Sequence, residues 1–83
     1  PGYYQQASIS MDRVVFVCDD GLWAVPASGG VARRLTASDA ECGNPRLSPD
    51  GKEIAFISYE EGHPEVFVMP YEGGPAKRLT YLG

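Results

Sequence analysis

The sequence is written twice. Ser10 is matched by Ser48 at an offset of 38 residues, and Val14 and Phe16 are matched by Ile54 and Phe56 at an offset of 40. Trp23 is then matched by Phe67, Pro26 by Pro70, Gly29-Gly30 by Gly73-Gly74, and Arg34-Leu35-Thr36 by Arg78-Leu79-Thr80, all at an offset of 44. The offset drifts only where loops are expected, so the second copy has longer turns and the same elements. A fixed period constrains a fold more than composition does. Each unit is one supersecondary block that must bury its apolar face on the next.

The elements read as strands. In the first copy, residues 13–18 are β-branched and aromatic, Asp20-Gly21 gives a tight hairpin signal, and residues 22–26 form the next strand. Ser28-Gly29-Gly30 turns the chain into residues 31–36, and an earlier strand is expected at about residues 4–10. The second copy gives strands at 44–48, 53–58, 65–69 and 76–80, separated by Pro49-Asp50-Gly51, a loop over 60–64, and Glu72-Gly73-Gly74. Each unit is therefore a four-stranded antiparallel meander. A period of roughly 40 residues built from short strands is the spacing of β-propeller blades. The expected fold class is all-β: two four-stranded antiparallel blades of a β-propeller, residues 1–40 and residues 41–83.

The central strands support stacking. Val14-Val15-Phe16-Val17, Ile54-Ala55-Phe56-Ile57 and Val66-Phe67-Val68-Met69 are apolar on both faces. A sheet with one wet face would alternate apolar and polar residues, so these strands need cover above and below. The last strand of each unit carries charge, Arg33-Arg34 and Lys77-Arg78, which suits an outer edge. No helix is expected, because 10 Gly and 7 Pro interrupt every candidate window.

Composition excludes several functions. Hydrophobic residues make up 43% of the chain, which is too many for intrinsic disorder. The formal net charge is −4, which argues against a nucleic-acid partner, since phosphate binding needs a basic footprint. The longest uninterrupted apolar run, Val14–Cys18, is far short of the roughly 20 residues of a membrane helix, so no membrane partner is expected. Two cysteines, Cys18 and Cys42, are expected to be free thiols rather than a bridge. The first residues, Pro1 to Gln6, carry neither a charged stretch nor an apolar run of the secretory kind, and a cytoplasmic setting is expected.

A resemblance then enters on particular residues. Ser48-Pro49-Asp50-Gly51-Lys52, Ile54-Ala55-Phe56, Val66-Phe67-Val68-Met69, Gly73-Gly74 and Arg78-Leu79-Thr80 resemble the blade repeat of TolB-like and tricorn-like propellers. The run from Val14 to Trp23, and that from Glu61 to Pro70 with Arg78 to Gly83, are similar to the opening blades of the tricorn protease family. The similarity covers nearly all of residues 2–83. One departure is that Gly21 stands between Asp20 and Leu22, where the family has an acidic pair directly before Leu-Trp; only the hairpin is expected to change.

The resemblance implies a large, hexamer-forming cytoplasmic serine peptidase that shortens peptides released by the proteasome or similar proteases. It implies a six-bladed propeller followed by a seven-bladed one, a PDZ-like domain, and catalytic domains that carry the Ser and His. The propellers are implied to be noncatalytic and to guide peptides or products. No position here matches a catalytic residue of the family. No cofactor and no metal site is expected. The expected partners are neighbouring blades of the same chain or of symmetry-related copies, and the parent enzyme's peptides. The alternative is a TolB-like scaffold module that binds a protein and is exported.

Candidate site residues are few. His63, the sole histidine, lies in a turn-like segment and reads as a solvated loop residue rather than a triad member. Asp19-Asp20 and Glu60-Glu61 occupy equivalent hairpin loops and form a candidate acidic patch facing cationic peptide ends, against the plainer reading as turn chemistry. Asp50, beside Ser48 and Gly51, suits a turn-stabilising hydrogen bond. The Gly-Gly pairs precede strands, which excludes a phosphate cradle at a helix start. Phe16, Trp23, Phe56 and Phe67 fall at matching positions and read as blade core rather than a stacking site.

Overall fold

The computed structural model describes residues 7–36, 41–59 and 64–80. Two antiparallel sheets contain all of its strands. The first holds β1 (Ala7–Ser10), β2 (Arg13–Cys18), β3 (Gly21–Pro26) and β4 (Arg33–Arg34) in that order. The second holds β5 (Cys42–Leu47), β6 (Glu53–Ser58), β7 (Glu65–Pro70) and β8 (Lys77–Arg78), also in chain order. Both are the meanders that the repeat demands.

The internal repeat survives in the register. Phe16 pairs with Trp23 and Trp23 with Arg34; at the matching positions Phe56 pairs with Phe67 and Phe67 with Arg78. The sheets pack face to face. Val15, Leu22 and Ala24 of the first meet Ile54, Phe56, Phe67 and Met69 of the second in one buried cluster, which Cys42 and Tyr71 complete. Because side chains alternate along a strand, the remaining apolar residues lie on the two outer faces. Val14, Phe16, Trp23 and Val25 are half-buried on one; Ala55, Ile57, Val66 and Val68 are half-buried on the other.

Three differences from expectation have local causes. The first hairpin turns on Asp19-Asp20, with φ of 52° and 62°, and Gly21 is already the first residue of β3. Two left-handed residues make the twist-matched two-residue turn, and Asp tolerates that conformation. In β5, Asn44 has φ of 52° and the pairing with β6 shifts between Gly43 and Arg46, so the strand starts at Cys42 and carries a bulge around the buried Pro45. The outer strands are only two residues long. They stop because Thr36 and Thr80 turn their hydroxyls, not their carbonyls, to the neighbouring strand: Leu22 N donates to Thr36 Oγ1 at 3.0 Å and Val66 N to Thr80 Oγ1 at 2.9 Å.

Polar groups staple the sheets. Leu47 N donates to Ser8 Oγ at 3.0 Å, and Ser10 Oγ donates to Pro49 O at 3.0 Å. Arg13 Nη1 donates to Gly51 O at 2.7 Å, and Arg33 Nη2 to Tyr71 O at 2.7 Å. Both guanidiniums also lie over the buried Tyr71 ring, 4.6 and 5.1 Å from its centroid.

The hairpin between β1 and β2 turns on Met11 (φ 50°) and Asp12 (φ 70°), and Met11 is 67% exposed. Methionine gains nothing there and bears the left-handed backbone penalty. Met11→Asn is expected to raise stability by about 1 kcal/mol in chemical denaturation, since Asn tolerates this conformation.

Candidate functional site

Asp19 and Asp20 are exposed at the tip of the β2–β3 hairpin. The hairpin tip is also tied to the second sheet, because Cys42 N donates to Asp20 O at 2.9 Å. Glu60, Glu61 and His63 lie outside the described residues, so the acidic patch is seen only by its first half. What the geometry offers is a pair of carboxylates on a rigid turn at one end of the sheets. Such a pair can attract a cation over a few ångströms of solvent.

The remaining candidates resolve into structure. Ser48 Oγ donates to Asp50 Oδ1 at 2.6 Å and accepts from Glu53 N at 3.0 Å, while Lys52 N donates to Asp50 Oδ1 at 3.0 Å. That network closes the turn between β5 and β6. The Ser48 hydroxyl first, then the Lys52 backbone N–H, hold the Asp50 carboxyl below the ordinary carboxylate value. Gly29 and Gly73 donate to Pro26 O and Pro70 O at the tips of hairpins that lead into β4 and β8. Phe56 and Phe67 are buried and stacked with centroids 5.8 Å apart. Phe16 and Trp23 are their half-buried counterparts on the outer face, with Trp23 Nε1 donating to Cys18 O at 3.1 Å. Cys18 is exposed and Cys42 buried, and the two are not joined in a disulfide.

Among the described residues, no group of three or more His, Cys, Asp or Glu could hold a metal ion. Ser58 Oγ is buried without a hydrogen-bond partner there, in register with Glu65. The Glu65 carboxylate is already occupied by Arg78 and Thr80, so that serine has no free base within reach of its strand partner. No helix of the described residues is long and apolar enough to cross a membrane.

The arginines do more than the sequence suggested. Arg33 leaves its strand to bind the second sheet, and Arg34 and Arg78 fold back over their own sheets. In both copies the Arg-Leu-Thr motif makes one hook: Arg34 Nε donates to Thr36 O at 2.8 Å, and Arg78 Nε to Thr80 O at 2.9 Å. The motif's recurrence was the available signal for this role; its reading as simple edge charge missed it.

The Asp50 network gives a test. Nuclear magnetic resonance titration is expected to place the Asp50 carboxyl below the usual carboxylate range, and Ser48→Ala to move it back up. The group favours folding fully above the ordinary Asp pKa of about 3.9, and that contribution is lost as pH falls through the depressed folded value.

Comparison with known proteins places these sheets. The chain is 43% identical over 83 residues to tricorn protease homolog 1 of Streptomyces coelicolor, covering 100% of this chain and 8% of that protein. It superposes on the crystal structure of the tricorn protease with a TM-score of 0.76 and 28% identity, over 98% of this chain and 8% of that one. A TolB structure from Agrobacterium tumefaciens gives a TM-score of 0.70 and 25% identity, over 83% of this chain and 26% of that one. The chain thus spans a small fraction of the length of the proteins it resembles. Residues 1–83 match the family described as the tricorn protease N-terminal beta propeller domain. The two sheets are β-propeller blades, and the chain belongs to that family.

Proposed function

We propose that the chain is a noncatalytic propeller segment of a tricorn-like serine peptidase, one that degrades oligopeptides downstream of the proteasome or similar proteases. In this reading residues 1–40 and 41–83 are two blades, and their role is to guide peptides or products. One observation carries the proposal: the family match runs the whole length of the chain, and within it both repeats fold as complete four-stranded sheets.

The apolar outer faces support neighbouring blades as the immediate partners. Each is apolar and half-buried, and a neighbouring blade of a ring, six-bladed in this reading, would cover it. Cover by a second copy fits poorly. The staple residues Arg13 and Tyr71 have Glu53 and Ala27 as their repeat equivalents, so copy-on-copy packing would not rebuild the staple. Neighbouring blades of the same polypeptide suit these faces better, with assembly and a cytoplasmic setting belonging to the parent enzyme. The TolB likeness supports a second reading, an exported scaffold module that binds a protein partner.

Two measurements test this. The 83-residue chain is expected to show no peptide or ester hydrolysis; turnover abolished by His63→Ala would contradict a noncatalytic role. In the polypeptide that carries the chain, Asp19→Asn with Asp20→Asn is expected to raise KM for peptides with cationic ends by about twofold at low salt, with the effect fading as the Debye length shrinks. Peptides without cationic ends serve as the control and are expected to be unaffected. Equal effects on both peptide classes would contradict an electrostatic guide.

A further inference from the structure

One charge difference between the two copies lies at the arginine hook. Glu65 in the second blade has Gly21 as its equivalent in the first, at the same offset of 44 residues as the surrounding matches. Glu65 is buried; Arg78 Nη2 donates to its Oε2 at 3.0 Å and Thr80 Oγ1 to its Oε1 at 2.6 Å. In the first blade the rest of the hook is intact: Arg34 Nε donates to Thr36 O, and Leu22 N to Thr36 Oγ1. Only the carboxylate is missing.

The Arg34 guanidinium fills the space that glycine leaves. A Cβ on Gly21 would collide with Arg34 Nη2. Among the described residues Arg34 makes one hydrogen bond, through Nε, and it rests over the Trp23 ring at 5.7 Å. No described acid pairs with it, Asp19 and Asp20 included. A guanidinium carries five donors in a planar fork that matches a carboxylate. Here a half-buried one uses a single donor toward the described residues. Arg34, Trp23 and Gly21 all lie on the outer face of the first blade, away from the second.

We propose that Arg34 is a carboxylate-receiving site, filled by an acidic side chain of the protein element that covers the outer face of the first blade. Charge complementarity selects that occupant: the same hook closes on a carboxylate in the second blade, and an apolar sheet flank holding one cation unpaired among the described residues favours an apolar cover bearing one acid. The covering element rests on the propeller reading above; the carboxylate preference of Arg34 does not.

The first arm of the test uses the 83-residue chain with acetate as the probe. At constant ionic strength, acetate but not chloride is expected to shift the Arg34 side-chain resonances and Trp23 fluorescence, and Arg34→Gln to abolish the response. Gly21→Glu supplies the missing carboxylate from within, as Glu65 does. It is expected to remove the acetate response and to raise Tm by about 4 °C, the scale of a 1 kcal/mol gain in a domain of this size. Gly21→Ala, which adds bulk without charge, gives no rise. An acetate response that survives Arg34→Gln, or a Gly21→Glu protein no more stable than Gly21→Ala, overturns the proposal. The second arm uses the whole polypeptide that carries the chain. There Gly21→Glu is expected to lower Tm, because the incoming acid meets a like charge. A rise there too overturns the claim that the covering element brings an acid. Failure of the propeller reading would show separately, as an absence of further repeats in that polypeptide, and would leave the acetate result standing.

Discussion

One aromatic ring holds the two blades in register. Tyr71 is 6% exposed, and the guanidiniums of Arg13 and Arg33, both sent across from the first sheet, lie over its ring. An apolar sandwich alone is non-directional, and Val15, Leu22 and Ala24 could slide over Ile54, Phe56 and Met69 at little cost. The cations fix where the slide stops. They are anchored in turn by carbonyls at two separate turns, Gly51 O and Tyr71 O, which accept from Arg13 and Arg33. Removing the ring would leave two arginines at the junction with reduced packing and would weaken both contacts together.

The same economy runs through the repeat. One hook, Arg-Leu-Thr, ends each blade by swapping a threonine hydroxyl for a backbone carbonyl, and folds its arginine back over the sheet. Small substitutions on this shared frame make the blades different. Glu65 closes the hook internally, whereas Gly21 leaves it open. Arg13 staples, whereas its equivalent Glu53 does not. Blades that share a frame and differ in their charges can each prefer one neighbour, which is what a ring of fixed order needs.

Much of this was legible in the sequence. The matched pairs Phe16/Phe56 and Trp23/Phe67 gave the sheet order, and the continuous apolar runs in β2, β6 and β7 gave the need for cover on both faces. Other features were not legible, for definite reasons. Asp20-Gly21 is a strong hairpin signal, yet the turn moved back by one residue, since two aspartates in the left-handed region keep Phe16 opposite Trp23. Asn44 and Pro45 mark a bulge only once the partner strand is known. The roles of the arginines depend on which sheet lies beside them, so Arg33-Arg34 and Lys77-Arg78 look alike in sequence and differ in space. Half of the acidic patch, Glu60 and Glu61, lies outside the described residues, and that part of the site has only its sequence behind it.

The central claim is that the two repeats pack as adjacent blades through the Arg13–Tyr71–Arg33 contact. A double-mutant cycle between Arg13 and Tyr71, read by reversible unfolding of Arg13→Met, Tyr71→Leu and the double variant, tests it most directly. The account predicts a coupling of about 1 kcal/mol, as expected for a partly exposed cation over a ring. Additive single effects, with no coupling, would mean that the two residues do not meet, and would contradict the packing described.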